Sequence, residues 1–201
     1  MFYRFVRLLL TPIFRLLFLI RIEGKENIPK DGPYIACANH MSAIDPILIG
    51  VVYPHRIYCM AKVELFKNKL VAWALRSLGA FPVKRGEPDM KSIKTALKIL
   101  NEGKILGLFP EGTRNNSDEL RAEPGLALLA IRSKAPVLPI SIICNYKIFN
   151  KTRIIVNKPI LLEQYFDRKL QTEDYQNISL EIMKGIKNIV KGEQNENNIR
   201  Q

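Results

Sequence analysis

Short apolar runs alternate with helix-period segments along most of the chain, and this alternation restricts the fold more than any other feature. The runs fall at 33–38, 56–61, 80–83, 104–109, 136–143 and 152–157. Between them, 45–53 opens on Asp45-Pro46. Residues 64–78 carry Leu65, Leu70, Val71, Trp73, Ala74, Leu75 and Leu78, and stop at Gly79. Residues 90–102 begin after Asp89, set Ile93, Ala96, Leu97 and Leu100 on one stripe, and stop at Gly103. Residues 124–133 start at Pro124, and 173–190 space Ile178, Ile182, Ile186 and Ile189 at helical intervals. Asp and Pro open helices and Gly closes them. Short strands alternating with helices predict an α/β fold, with a largely parallel central sheet flanked by helices. The 201 residues make one domain over 23–190, preceded by a segment over 1–22 and followed by a polar, Asn-rich tail over 191–201 that predicts disorder.

In an open α/β sheet, ligands bind beyond the carboxyl ends of the strands. Three polar clusters fall at such ends. Asn39-His40-Met41-Ser42-Ala43-Ile44-Asp45 follows the run 33–38, Lys84-Arg85-Gly86 follows 80–83, and Pro110-Glu111-Gly112-Thr113-Arg114 follows 104–109. Of the chain's two histidines, His40 is the one placed to act as a general base. A neutral imidazole takes a proton from a hydroxyl near neutral pH, and a carboxylate on its other nitrogen fixes the tautomer. Asp45 can supply that carboxylate only across a turn, because residues five apart on a helix do not face each other. The plainer reading is that Asp45 caps the helix it opens, with Pro46 as the first helical residue, and His40 is an ordinary loop residue. Ser42 stands too near His40 in a tight loop to be its nucleophile, and no Gly-x-Ser-x-Gly elbow occurs.

Arg85 and Arg114 can each grip a phosphate bidentately, and Lys84 adds a point charge. Gly112 lets backbone approach a ligand closely. Taken singly, such residues are also ordinary solvated charges beside a turn glycine, and Glu111 can pair with an arginine instead of touching substrate.

The formal net charge of +12 favours anionic partners: nucleic acid, lipid headgroups or phosphorylated substrates. Residues 1–21 choose among them. They carry Arg4, Arg7, Arg15 and Arg21 and no acid. As a helix, Arg4, Arg7, Thr11 and Arg15 form one narrow polar stripe, and bulky apolar residues cover the rest. The uncharged run from Leu8 to Phe14 is far too short to span a bilayer, and it lacks the pattern of a signal peptide. A basic amphipathic helix of this kind lies in a membrane interface; its alternative is a core helix with arginines outward. Nucleic-acid binding would explain the charge but not this apolar surface, and aromatics interleaved with basic residues are missing. Cys37, Cys59 and Cys144 are widely spaced in apolar runs and read as reduced core residues; with no cysteine cluster, a metal site is not expected. His55 reads as a solvated loop residue.

Four blocks together carry a family resemblance: Asn39-His40-x4-Asp45, Gly79-Ala80-Phe81-Pro82-Val83-Lys84-Arg85, Phe109-Pro110-Glu111-Gly112-Thr113-Arg114 and Val137-Leu138-Pro139-Ile140. In that order they resemble the glycerolipid acyltransferases, and most closely the lysophosphatidate acyltransferases. The stretch Ala61–Phe66 is similar to a further segment of those enzymes, so the likeness runs over roughly 20–160. The resemblance implies direct acyl transfer from a thioester, acyl-CoA or acyl carrier protein, to the free hydroxyl of lysophosphatidate, with no other cofactor and no acyl-enzyme. It makes His40 the base and Asp45 its orienter. Arg85 and Arg114 become phosphate contacts, with Asn39, Lys84, Glu111, Gly112 and Thr113 shaping the acceptor site. The Val137–Ile140 block becomes a strand near the acyl chain. It also implies a membrane-bound enzyme facing the cytoplasm; the motifs specify no oligomeric state. The alternatives are an acyltransferase acting on another lysolipid, and a non-catalytic anionic-lipid-binding protein that leaves His40 idle. Three positions depart from the family pattern: Lys84 replaces a frequent acid, Glu123 a common lysine, and Asn157 a frequent glycine whose left-handed turn Asn tolerates.

Overall fold

The computed structural model describes residues 2–53, 55–84, 89–115, 117 and 119–199. Its strands are β1 (Ile20–Glu23), β2 (Tyr34–Ala38), β3 (Ile57–Lys62), β4 (Ala80–Val83), β5 (Ile105–Leu108), β6 (Val137–Ile143) and β7 (Thr152–Val156). Its helices are α1 (Phe2–Leu17), α2 (Asp45–Val52), α3 (Lys69–Leu78), α4 (Met90–Asn101), α5 (Gly125–Ser133) and α6 (Thr172–Ile199). The strands make one seven-stranded sheet in the order β1-β7-β6-β2-β5-β3-β4. Every neighbouring pair is parallel except β6 and β7.

The burial of each strand follows from its place in that order. β2 and β6 lie side by side at the centre, and every residue of both is buried. They read as continuous apolar runs because a parallel sheet is covered on both faces. Alternate residues feed two cores. Ile35, Cys37, Leu106, Leu108 and Val137 pack under α4, α5 and α6. Tyr34, Ala36, Ala38, Leu138, Ile140 and Ile142 pack on the other face under Leu48 and Ile49 of α2, Phe18, and Phe14 and Leu17 of α1.

The elements depart from the sequence pattern in four places. The segment 64–78 is not one helix. Val63–Phe66 forms a 3-10 turn, and Asn68 caps a new helix by accepting the Leu70 and Val71 N–H groups. β1 lies inside the apolar N-terminal segment, so the sheet begins at Ile20 and the 22/23 boundary cuts a strand. Arg153 of β7 holds Glu23 of β1 through two nitrogen–oxygen contacts of 3.0 and 3.1 Å, which depresses the Glu23 pKa. Third, α6 continues to Ile199, where composition predicts a disordered tail from 191. That stretch contains no proline to break the helix, so it continues despite Gly192 and three asparagines, which are weak helix formers. Last, α2 starts at Asp45 itself, with Ile44 at the cap position, one residue from the expected register.

β5 packs against β3 closely enough to demand glycine in mid-strand. A Cβ at Gly107 would lie 2.6 Å from Cys59 Sγ and 2.7 Å from Ile57 Cγ2. Gly107→Ala should therefore destabilise the domain by about 1–3 kcal/mol, the range for overpacking a tight core. Urea unfolding of the purified variant measures this; an unchanged midpoint would mean that β3 yields without cost.

Candidate active site

The site begins where β2 leaves the sheet. The Asn39 amide clasps β6 in both directions: its Nδ2 donates to the Ile142 carbonyl at 3.0 Å, and the Ile142 N–H donates to its Oδ1 at 2.8 Å. His40 follows, 7% exposed. Its main-chain N–H donates to Glu111 Oε1 at 3.1 Å, and its carbonyl accepts the Asn115 N–H at 2.8 Å. The turn after β5 is thus bonded to the turn after β2. The imidazole stacks on Phe109 with centroids 4.3 Å apart.

His40 Nδ1 lies 2.9 Å from Asp45 Oδ2. Asp45 is 0% exposed. The same Oδ2 accepts the Met41 and Ser42 N–H groups, each at 2.8 Å, and Oδ1 accepts the Tyr146 hydroxyl at 2.8 Å. Asp45 therefore does not cap α2. Its carboxylate turns back over the loop it has just left, holding both the loop and the ring. An acceptor-only carboxylate at Nδ1 places the proton there and leaves the lone pair on Nε2. Ser42 Oγ makes only a 3.5 Å contact with the Ile44 N–H and none with the ring.

Burial shapes the electrostatics around the pair. It raises the Glu111 pKa, opposed first by the His40 N–H and then by Lys187. The Asn115 side chain also lowers it, although Glu111 Oε2 is buried without a hydrogen bond of good geometry among the described residues, and no described arginine pairs with this carboxylate. Burial, with the adjacent Asp45 charge, also raises the Tyr146 phenol, which therefore stays protonated as a donor.

A family model described as Acyltransferase matches residues 19–143. The chain belongs to the acyltransferase family. It is 39% identical over 138 residues to the 1-acyl-sn-glycerol-3-phosphate acyltransferase of Bacillus subtilis, covering 68% of this chain and 69% of that protein. It is 33% identical over 150 residues to the protein of the same name from Streptococcus pneumoniae, covering 70% of this chain and 54% of that one. The crystal structure of the 1-acyl-sn-glycerophosphate acyltransferase from Thermotoga maritima superposes with a TM-score of 0.62 at 27% identity, covering 85% of this chain and 71% of that one. The chain thus spans between about half and about seven-tenths of these relatives.

The acyltransferase brings together only part of the cluster set that its sequence suggests. Asn39, His40, Asp45 and Glu111 share one bonded network. Gly112 sits beside it at φ +68°, and a Cβ there would meet Glu123 Cγ at 3.1 Å, so the departing residue Glu123 packs against the turn itself. Thr113 and Arg114 follow and are exposed. Lys84 stands apart at the end of β4, its N–H held by Asp89 Oδ2 at 3.0 Å. Since β5 and β3 separate β4 from β2, a strand spacing of ~4.8 Å puts Lys84 roughly 14 Å from the dyad along the sheet edge. Arg85 lies outside the described residues. Sequence reasoning missed Phe109, which reads as the last residue of an apolar run, and Tyr146, whose sequence distance from Asp45 hides the contact.

The charge state of Glu111 gives a test. A carboxyl whose folded pKa lies above its unfolded value destabilises the fold once it ionises, so the cost is present at neutral pH and disappears as pH falls below the unfolded value. Glu111→Gln keeps an oxygen for the His40 N–H and removes the charge. It should raise Tm at pH 7 by ~2–4 °C, corresponding to ~1 kcal/mol at this size, and leave it nearly unchanged at pH 4. Scanning calorimetry at both pH values checks this; an equal rise at both would mean the charge is not the cause.

Proposed function

We propose that this acyltransferase moves a fatty acyl group from a thioester, acyl-CoA or acyl carrier protein, onto the free hydroxyl of lysophosphatidate to give phosphatidate. The observation that carries the reading is the buried His40–Asp45 pair, whose geometry prepares Nε2 to accept a proton. The names of the relatives support the acceptor. His40 Nε2 takes the hydroxyl proton as the oxygen attacks the thioester carbonyl. The C–O bond forms, the C–S bond breaks, and the imidazolium returns the proton to the leaving thiolate. Asp45 stabilises the imidazolium between these events. Arg114 and Arg85 are assigned to the acceptor's phosphate, with Lys84 adding positive potential at the sheet edge.

The lipid acceptor brings α1 into the reading. No residue of α1 is fully buried, and Phe5, Leu8, Leu9 and Leu16 are all more than half exposed, with Leu8 at 77%. Arg7 and Thr11 turn partly inward instead, so the polar stripe splits between the protein and the outside. Phe14 and Leu17 pack on the sheet, but a helix that leaves Phe5, Leu8, Leu9 and Leu16 outward has packed only part of its apolar surface on its own domain. Leu70 and Trp73 of α3 are exposed too, and the Trp73 ring lies 4.9 Å from that of Phe2, joining the two helices into one apolar surface. Among the described residues no helix is long and apolar enough to cross a membrane. The reading is a one-leaflet anchor on the cytoplasmic face, where the site meets lysolipid already embedded in the bilayer.

His40→Ala should lower acyl transfer to lysophosphatidate by ~10²–10⁴-fold, the usual contribution of a general base, while far-ultraviolet circular dichroism stays as in wild type. Radiolabelled transfer with both donor types on a panel of lysolipids is the decisive assay. More than a tenth of wild-type activity in the variant would remove His40 from that role, and preference for another lysolipid would reassign the acceptor.

Leu8→Glu combined with Leu16→Glu places two charges on the exposed face without touching the core. The double variant should shift from pellet to supernatant when spun with anionic vesicles, and lose more activity on bilayer substrate than on detergent-dispersed lysolipid. Salt alone should release wild type only partly, because apolar insertion is not screened. Unaltered sedimentation of the double variant would place the membrane contact elsewhere.

A further inference from the structure

We propose that Tyr146 is a positioning residue for the His40–Asp45 pair, held in place by the turn between β6 and β7 that hangs on the carboxyl end of α1. Asp45 divides its bonds unevenly. Oδ2 serves the ring and two main-chain N–H groups, whereas the hydroxyl of Tyr146 is the hydrogen-bond donor to Oδ1, at 2.8 Å. Without that hydroxyl a fully buried carboxylate oxygen loses its partner, and the carboxylate plane loses one of the two ends that fix its rotation.

The turn accepts backbone strain to make this contact. Tyr146 has φ +59° and Phe149 has φ +61°, two non-glycine residues in the left-handed region within four positions. Such conformations persist only where surrounding bonds enforce them, and they cluster at functional sites. Here the bonds are visible. The Tyr146 N–H donates to Cys144 Sγ at 3.2 Å, and Thr152 Oγ1 donates to the same sulfur at 3.1 Å. The Phe149 N–H donates to the Leu17 carbonyl at 2.6 Å and the Thr152 N–H to the Phe18 carbonyl at 3.0 Å. Carbonyls at a helix's C-terminal end lack intrahelical partners, and this turn supplies them. The chain of contacts therefore runs from the end of α1 through the turn to the Tyr146 hydroxyl, then to Asp45 and the imidazole.

The kinetic part of this proposal rests on the acyl-transfer reading, so the test pairs it with a measurement that needs no substrate. In the full chain, Tyr146→Phe should lower kcat about ten- to a hundredfold, the range that corresponds to losing one hydrogen bond to a charged group. KM for lysophosphatidate and for acyl-CoA should stay unchanged, because the phenol's hydrogen bond is spent on Asp45. Added to Asp45→Asn, the substitution should cost nothing further. With only two histidines in the chain, the low-field N–H proton of His40 is assigned by its absence in His40→Ala. In Tyr146→Phe that resonance should move and broaden as the carboxylate loses its second anchor. An unmoved resonance, or losses that multiply with Asp45→Asn, would overturn the proposal. If wild type failed to acylate lysophosphatidate while the resonance still moved in Tyr146→Phe, the proposed function would fall and the positioning role would stand.

Discussion

The structure around the site depends on one buried carboxylate. Removing an ion from water costs several kcal/mol even after relaxation, unless its lone pairs find donors. Asp45 finds them on Met41, Ser42, Tyr146 and the imidazole of His40. Meeting that demand determines the local fold. The loop after β2 must curl so that two successive N–H groups face one oxygen. α2 must start at Asp45 rather than after it, and the turn after β6 must bring a phenol across the sheet edge. The proposed chemistry rests on the same geometry, since the ring is fixed because the carboxylate is, and Nε2 is left free to accept a proton.

How much of this could be read from residues depends on the range of the interaction. β2 and β6 were legible because central parallel strands are buried on both faces and read as uninterrupted apolar runs. β4 and β5 and the helices α4 and α5 fall within a residue of their sequence expectation, bounded by Asp89, Gly79, Gly103 and Pro124. β1 was not legible: Ile20-Arg21-Ile22-Glu23 alternates, but it continues an apolar segment whose helical period masks it. Asn68 was a visible capping residue inside a pattern that otherwise runs straight through. The dyad was legible because its partners are close in sequence and share a loop. Tyr146 was not, since a cross-sheet contact leaves no spacing signal. Phe109 falls between the two: its neighbours marked the cluster, but its own apolarity made it look like core.

The N-terminal helix shows why a pattern alone cannot say which way a helix faces. Arg4, Arg7, Thr11 and Arg15 do form the stripe that helical spacing predicts, yet the helix is rotated so that part of the stripe meets the protein while Leu8, Leu9 and Leu16 do not. Phe14 and Leu17 alone help cover the sheet, and Arg7 Nε and Thr11 Oγ1 are buried without hydrogen-bond partners among the described residues. A water-exposed helix optimised for packing would rotate the other way, gaining apolar burial and hydrating its arginine. The observed orientation is unfavourable in water and favourable where the outer medium is apolar. The same sequence period is compatible with both settings, and the domain's own packing selects between them.

Three unfavourable arrangements converge on one end of the sheet. Glu111 keeps a carboxylate oxygen buried without a well-formed hydrogen bond among the described residues. Tyr146 and Phe149 hold left-handed backbone that their side chains disfavour. α1 exposes Leu8, Leu9 and Leu16. Each departs from what stability alone would choose, while the opposite face, where α4, α5 and α6 pack on the sheet, has the ordinary composition of a buried core. Other departures lie elsewhere, such as Lys134 at φ +55° after α5 and the Tyr34 and Tyr53 hydroxyls, unpartnered among the described residues, but those beside His40 are the ones bonded to it or to the residues that hold it. Here they surround a histidine whose free nitrogen is supplied by the same carboxylate that orders the loop. Their positions tie together the strand end, the turn after β6 and the carboxyl end of α1. The proposed transfer from a thioester to a lipid hydroxyl would use that combination: a fixed base at a sheet edge, and an apolar surface connected to it through the backbone.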